Sequence, residues 1–347
     1  MRILVIADPH IPIPPIGYGG IERNLAYLCQ GLMERGHTVD LIAGSGSQRY
    51  GGSLTVHRAP SKQPVSRIYR KLLFQGMSWR AARKADVVIS NGRIDYLWAI
   101  AKGGTPIIHV FHHPTQQSEV DCLLRMRSTG VRFIGVSHDQ VAGLEPSDRI
   151  DAVYNCVDVR RMTATECPES PPYVAFLGRL TANKGVHLAI QAAQIAGVKL
   201  VIAGNVSDSE PGAREYFQEQ IVPHLGPEIE YIGVVNDVEK TKLLSGASAM
   251  LFPIQWREPF GNVMAESLAC GCPVIGWRNG SVPEVIRHGA TGFIVDSLEE
   301  MVTAIRAVSA IDRKACRREA ESRFDKDVLV EGYLHVIHKL LGKQQVT

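Results

Sequence analysis

The stretch SAMLFPIQWREPFGNVMAESLACGCPVIGW, residues 248 to 277, holds one complete strand–loop–helix–strand unit. SAMLFP is a short apolar run that ends at Pro253. The loop IQWREPFG follows, and Asn262 is read as the N-cap of a helix running to about Cys270, with Gly271 just past its end as the stop signal. CPVIGW is the next strand. A helix between two buried strands carries the chain back to the starting edge of the sheet, so the strands run parallel. Ligands of parallel sheets sit beyond the carboxyl ends of the strands, where loops enter helix N-termini. At that place this unit sets two carboxylates, Glu258 and Glu266, and the backbone amides of Gly261, Asn262 and Val263.

The same alternation extends in both directions. Upstream, RILVIAD, TVDLIAG, SLTVHRA, ADVVISN, TPIIHVFHH, RFIGVS and DAVYN are apolar, β-branched runs, each followed by a longer segment of helical period. The pattern pauses at TECPESPP, residues 165 to 172, whose prolines mark it as a linker. It restarts with YVAFLG, VKLVIAG, IEYIG, SAMLFP, CPVIGW and TGFIVD, separated by helical stretches such as Val186 to Ile195 and Asp237 to Leu244. Two further helical stretches follow residue 310, the last from Asp327 to Leu341, and this one is expected to pack back onto the first domain. Two consecutive doubly wound α/β domains result, with the cleft between them as the expected working site. A length of 347 residues and a 45% apolar composition suit two separate cores.

Other classes lose ground. No apolar run is long enough to span a bilayer, and Met1 leads almost directly into ILVIA without a cleavable leader, so a cytoplasmic address is expected. The seven cysteines are scattered, and the closest pair, Cys270 and Cys272, has no partner set at zinc-ligand spacing, so no metal site is expected. A net charge of +3 conceals a basic first half and a mildly acidic second half. Residues 61 to 85 carry seven positive and no negative side chains, interleaved with Ile68, Tyr69, Leu72, Leu73, Phe74, Met77 and Trp79. Such a basic amphipathic stretch suits peripheral contact with an anionic membrane, and equally a core-facing helix with a solvated outer face. Its basic residues belong to no nucleic-acid reading module, so nucleic acid is not an expected partner.

Three further loops carry candidate chemistry. In LGRLTANKGV, Gly178 ends a strand, Arg179 and Lys184 supply two cations, and Gly185 opens a helix. Fixed cations and open amides are what a phosphate group requires, although solvated loop charges have the same spelling. RNGSVPEVIRHGATG sets Gly280 and Ser281 before Pro283 and Glu284 at another helix start, which is also ordinary helix-starting chemistry. ADPHIPIPPIGYGGIERNLAYLC is stiffened by prolines and brings Gly17, Gly19 and Gly20 to a helix starting near Ile21. It matches G-x-G-x-x-G only loosely, because Glu22 stands where the last glycine belongs, and no G-x-x-x-x-G-K-[ST] string exists. IIHVFHHPT ends a strand with His112 and His113 on opposite faces if the strand persists, either a structural hydrogen-bonding pair or a group reaching the site. Glu258 is placed to meet a ligand's reacting end. Glu266, one turn into the helix, can accept paired hydrogen bonds from a ribose diol, or simply form a salt bridge on an exposed helix face.

Taken together, EPFGNVMAESLACGCPVI, GRLTANKG, HVFHHP, YNCVD and VPEVIRHGATGFIVD resemble glycosyltransferase family 4, the retaining nucleotide-sugar transferases of GT-B fold, over nearly the whole chain. The resemblance implies an N-terminal Rossmann-like acceptor-side domain at residues 1–165, a C-terminal donor domain at 166–325, and a helix crossing back at 326–347. It implies that Glu258 contacts the transferred sugar near its anomeric centre without acting as a nucleophile. Glu266 would bind the nucleotide ribose, and Arg179 and Lys184 the diphosphate. Gly178, Pro259, Phe260, Gly261, Asn262 and Val263 would line the donor, Gly19 and Gly20 would approach its phosphates, and His112 would line the reaction centre. The donor would be UDP- or GDP-linked, the acceptor a small molecule, glycan or lipid-linked hydroxyl, and no cofactor would be required. Cys156, Asn183 and Asn262 depart from the family pattern, so the resemblance does not name the donor. An epimerase of the same fold and a noncatalytic sugar-nucleotide-binding subunit are the alternatives. A glycosidase using both glutamates would leave Arg179 and Lys184 without a task.

Overall fold

The computed structural model describes residues 1–17, 19–57, 64–207 and 210–342, with residues 64–67 described by backbone alone. The start of the basic stretch at 61 to 85 and the end of the segment 326–347 therefore lie outside the described residues. The chain divides into two compact units, Met1–Asn155 with Lys326–Thr347, and Cys156–Asp325.

In the first unit the strands are β1 (Arg2–Ile6), β2 (Thr38–Ala43), β3 (Gly51–Val56), β4 (Val87–Ser90), β5 (Ile107–Phe111), β6 (Val131–Gly135) and β7 (Ile150–Ala152). They form one parallel sheet in the order β3-β2-β1-β4-β5-β6-β7. The central strands are buried along their length, as strands covered on both faces must be. The covering helices are α1 (Gly20–Glu34), α2 (Pro64–Ala82), α3 (Trp98–Ala101), α4 (Gln117–Met126) and α5 (His138–Val141). Phe74 of α2, Leu97, Phe111 of β5, Leu123 of α4 and Phe133 of β6 share one core cluster. After β3 the chain crosses to the other side of β1, so strand order reverses between β1 and β4.

The second unit contains β8 (Tyr173–Leu177), β9 (Lys199–Ala203), β10 (Ile229–Tyr231), β11 (Ala249–Phe252), β12 (Val274–Trp277) and β13 (Gly292–Val295). Its helices are α6 (Val186–Ala196), α7 (Ala213–Gln220), α8 (Asp237–Gly246), α9 (Asn262–Ala269), α10 (Val282–Val285), α11 (Leu298–Ala307) and α12 (Arg313–Arg323). The sheet order is β10-β9-β8-β11-β12-β13, all parallel, with the reversal between β8 and β11. The final helix, α13 (Lys326–Leu341), returns to the first unit, as expected. It packs on α1, where Gly31 lies so close to Val330 that an added Cβ would overlap it. Arg35 pairs with Asp327 at 3.2 Å and Glu331 at 2.8 Å, and Lys339 pairs with Asp151 at 2.7 Å.

Two local expectations are corrected. Helix α9 starts at Asn262, but its N-cap is Gly261 at φ 72°, not Asn262, and no side chain caps it. Its other end follows the sequence signal. Gly271 at φ 72° donates to the Leu268 carbonyl and Cys272 donates to Ser267, a paired C-terminal stop. The second correction concerns TECPESPP, expected as the linker, which lies inside the second unit. Residues from Cys156 onward already belong to the second unit, because the Val157 amide donates to the Phe324 carbonyl at 2.8 Å and Arg317 donates to the carbonyls of Val159, Met162 and Ala269. Thr165 is held in turn by Arg313, which is 7% exposed and donates to the carbonyls of Thr165 (2.9 Å), Ala247 (2.7 Å) and Ser245 (2.6 Å). Replacing Arg313 with Met removes these three charge-assisted bonds, leaving the Ser245 carbonyl with the Thr165 hydroxyl and the Ala247 carbonyl with the weak Cys272 thiol donor. Since a hydrogen bond to a charged group contributes about 1.5–3 kcal/mol, we expect urea unfolding to show a loss of about 3 kcal/mol or more, partly restored by Lys.

Candidate active site

The reversal between β8 and β11 brings two loops of the second unit into contact, and glycines permit it. Gly185, at φ 74°, presses against the Pro253 carbonyl so closely that any Cβ would overlap it. The Gln255 amide donates to the Asn183 carbonyl at 2.8 Å, tying the loops together. A third loop supports the pair: Ser281 donates its amide to the Glu258 carbonyl at 3.0 Å and its hydroxyl to the Phe260 carbonyl at 2.8 Å. Gly280, at φ 55°, leaves the Glu258 backbone room to lie against it.

Lys184 and Glu258, 74 residues apart in the chain, meet at this junction with Nζ 2.5 Å from Oε2. Their side chains are only 14% and 12% exposed. The Trp256 indole N–H donates to the same carboxylate oxygen at 2.7 Å, and the Lys184 ammonium lies 5.1 Å from the Trp256 ring centroid. Two charge-assisted hydrogen bonds therefore fix the orientation of the Glu258 carboxylate. Glu266 is buried, not on an exposed helix face, and its Oε1 accepts from Lys240 of α8 at 2.5 Å. Lys240 also lies 3.1 Å from Asp237. Arg179 pairs through Nη1 with Glu210 at 2.7 Å, and its buried Nε has no hydrogen-bond partner among the described residues. The expected residues thus divide into Lys184 with Glu258, Glu266 with Lys240, and Arg179 with Glu210. Gly261, Asn262 and Val263, at the start of α9 where no side chain caps the helix, are only partly buried, whereas Phe260 is buried and stacks edge-on against Phe324 at 5.6 Å. Pro259 is buried beside it, and Gly178 donates its amide to Ala203 at the end of β8.

In the first unit the reversal between β1 and β4 is occupied by the other expected residues. Helix α1 begins at Gly20, one residue earlier than expected, after Gly19 at φ 157°, where a Cβ would stand 2.7 Å from Pro15. β5 stops at Phe111, so His112 and His113 leave the strand. His113 is exposed, 3.7 Å from Glu119. His112 bonds through Nε2 to Asn91 Oδ1 at 3.0 Å, while its Nδ1, Asn91 Nδ2 and Ser90 Oγ are buried with no hydrogen-bond partner among the described residues. Burial, with a smaller contribution from His113, pushes the His112 imidazole down to about 4. Burial likewise pushes His109 down to about 3. His112 is thus neutral. Because an amide oxygen can only accept, Nε2 carries the proton and Nδ1 presents a lone pair.

Sequence reasoning missed Trp256, Lys240, Glu210 and Asn91. Trp256 stands in the quoted loop and was readable there as a neighbour of Glu258. The others reach their partners across separate crossovers, which no local spacing encodes. Among the described residues no group of three or more His, Cys, Asp or Glu is arranged to hold a metal, and no helix is long and apolar enough to cross a membrane. His109 and His112 contribute most strongly to a pH dependence, and burial lowers His37, His57 and His187 in the same direction. The unfolded chain takes up protons at both as pH falls below 6.5, whereas the folded chain does so only near 4 and 3. Stability is therefore fully present above 6.5 and falls as pH drops through that window. Denaturant unfolding at pH 7, 6 and 5 is expected to show this decline, with a shallower slope in His109→Leu.

The comparisons with known proteins bear on the family and the fold. Residues 161–323 match the family model described as Glycosyl transferases group 1, and residues 18–161 match that of Glycosyltransferase Family 4. A curated relative, the lipopolysaccharide core biosynthesis glycosyltransferase LpsE of Rhizobium meliloti (strain 1021), is 26% identical over 344 residues, covering 92% of this chain and 96% of the relative. Among solved structures, AviGT4, a glycosyltransferase involved in avilamycin A biosynthesis, is 24% identical with a TM-score of 0.72, covering 99% of this chain and 98% of its own. Anabaena Alr3699/HepE in complex with UDP-glucose is 17% identical with a TM-score of 0.72, covering 99% of this chain and all of its own. At such identities structural likeness carries the fold, which is GT-B. The two family models meet at residue 161 and together run from 18 to 323, so the chain belongs to the family 4 glycosyltransferases and is a glycosyltransferase.

Proposed function

We propose that the chain moves a sugar from a nucleoside-diphosphate sugar, UDP- or GDP-linked, to a hydroxyl acceptor with retention at the anomeric carbon. The observation that carries this reading is the junction at the β8/β11 reversal. Arg179 and Lys184 enter it on one loop, the side-chain-free start of α9 enters on the next, and oriented carboxylates at Glu258 and Glu266 flank that start. Support for a sugar nucleotide comes from HepE, solved with UDP-glucose. The second unit is the donor side in this reading and the first unit the acceptor side.

As the glycosidic bond breaks, negative charge gathers on the departing diphosphate and positive charge on the sugar ring. Amides and cations fixed before the reaction stabilise that separation more than they stabilise the ground state. The start of α9 with Arg179 and Lys184 supplies the positive side, and this reading uses no metal or cofactor. Phosphate arrival exchanges with Glu210 for Arg179. Glu258, turned by Lys184 and Trp256, accepts hydrogen bonds from sugar hydroxyls near the anomeric carbon. Such a doubly bonded carboxylate serves poorly as a nucleophile, consistent with the donor phosphate itself helping to deprotonate the acceptor on the same face. Glu266, held through one oxygen by Lys240, binds the ribose. In this reading Gly19 and Gly20 are assigned to close backbone approach to the donor phosphates, and His112 to the hydroxyls of the transferred sugar.

Thermal-shift screening should find a nucleoside diphosphate that raises the melting temperature of the wild type, because a ligand bound only to the folded form stabilises it. Arg179→Glu with Lys184→Glu should abolish that rise while the protein still melts cooperatively; a rise of wild-type size in the double variant contradicts the site. In steady-state assays of nucleoside diphosphate release, Glu258→Gln should lower kcat about 100-fold or more, the scale of one lost transition-state contact. Lys240→Ala should act mainly on the KM for donor, and equal falls in kcat would contradict its assignment to ribose binding. Product NMR should show the anomeric configuration of the donor preserved.

A further inference from the structure

The first unit contains a cavity of about 760 Å³ that the proposed chemistry does not use. That is within the range of small-molecule sites, roughly 300–1,000 Å³. Its apolar walls include Ile68 and Leu72 of α2, Ile94 and Trp98 after β4, and Met126 of α4. We propose that this cavity binds a medium-chain aliphatic group, and hence that the acceptor is an amphiphile whose apolar portion lies here.

Three observations support this. First, the wall residues are apolar yet held in water: Ile68 is 61% exposed, Leu72 65% and Trp98 54%, while Phe74 of the same helix α2 is 1% exposed in the core. Ile68 and Leu72 are one helical turn apart, so they present one continuous apolar strip to the cavity. Second, the walls are braced. Gln75 donates to the Asp95 carbonyl at 2.7 Å and accepts from the Ala99 amide at 2.9 Å, while Lys71 pairs with Asp95 at 2.9 Å. The ammonium of Lys102 lies 3.7 Å from the Trp98 ring centroid and steadies that ring. The cavity is therefore formed before a ligand arrives.

Third, most polar side chains of the lining are already engaged. Lys71 pairs with Asp95, Gln75 bonds to the backbone at Asp95 and Ala99, and Glu119 lies 3.7 Å from His113 and accepts from the Gln116 amide. His109 of β5 is 3% exposed, so it adds little polar surface to the cavity. The exposed Arg93 suits a polar head. A nucleotide or oligosaccharide would leave many hydroxyls or phosphates unpaired against such walls, which is costly. A hydrocarbon chain loses nothing there and removes exposed Ile68, Leu72 and Trp98 from water.

Naming the occupant an acceptor rests on the transferase reading, whereas binding itself can be measured without donor. Calorimetric titration of the full chain would use methyl, hexyl and octyl β-D-glucopyranoside, each below its micelle-forming concentration. We expect saturable one-to-one binding that tightens at least tenfold from methyl to octyl, and loss of that gradient in Leu72→Glu and in Ile68→Glu, two exposed-site variants with wild-type melting temperatures. A flat series, or a gradient that survives both variants, overturns the proposal. So does binding that occurs only with phosphatidylcholine vesicles, which would make the strip a lipid-surface contact. With donor present, a lower KM for octyl than for methyl glucoside supports the acceptor assignment. Tight octyl binding that leaves the KM series flat overturns that assignment, while transfer that proceeds with a flat binding series overturns the cavity alone and leaves the transferase reading standing.

Discussion

The candidate chemistry depends on the contact between Gly185 and the Pro253 carbonyl. The loops after β8 and β11 can approach so closely only because position 185 has no side chain and adopts a left-handed backbone. That approach turns two residues 74 apart in sequence, Lys184 and Glu258, into a nearly buried ion pair. It is also the point at which the sheet order reverses, so the crevice beyond the strand ends opens there. Everything assigned to the donor, from the start of α9 to the Glu266 carboxylate one turn further on, is positioned by this junction.

The first unit repeats the plan with different contents. Its reversal, between β1 and β4, places a glycine-bearing loop opposite strand ends that carry Ser90, Asn91 and, from β5, His112. Here His112 bonds to Asn91, and the remaining polar atoms of Ser90, Asn91 and His112 are buried without partners among the described residues, whereas the second unit pairs its charges; burial keeps the imidazoles neutral. On the proposed reading, the charged junction suits a pyrophosphate and the neutral one a sugar.

Much of this was legible in the sequence, because buried parallel strands are written as short apolar β-branched runs and the loops between them are where Gly, Pro and charge concentrate. The quoted stretch gave the strand, loop, helix and stop signal of α9 nearly to the residue. Its start was misread because Asn is a strong N-cap residue. In the fold Gly261 takes that place, since its left-handed backbone turns the chain into the helix, and Asn262 becomes the first helical residue. TECPESPP was composed like a linker, but composition does not report that Arg313, nearly 150 residues later, pins Thr165 to the second unit. The partners of Glu266, Arg179 and His112 were invisible for the same reason. Lys240, Glu210 and Asn91 come from neighbouring crossovers, and strand order, which local periodicity does not encode, decides which crossovers are neighbours.

A crystal structure of the chain with the nucleoside diphosphate that stabilises it most tests the proposed donor site. The pyrophosphate should lie within hydrogen-bonding distance of the first amides of α9 and of Arg179, with Glu210 released from Arg179 and the ribose diol on Glu266. A pyrophosphate bound elsewhere, with the Arg179–Glu210 and Lys184–Glu258 pairs still closed, would contradict it.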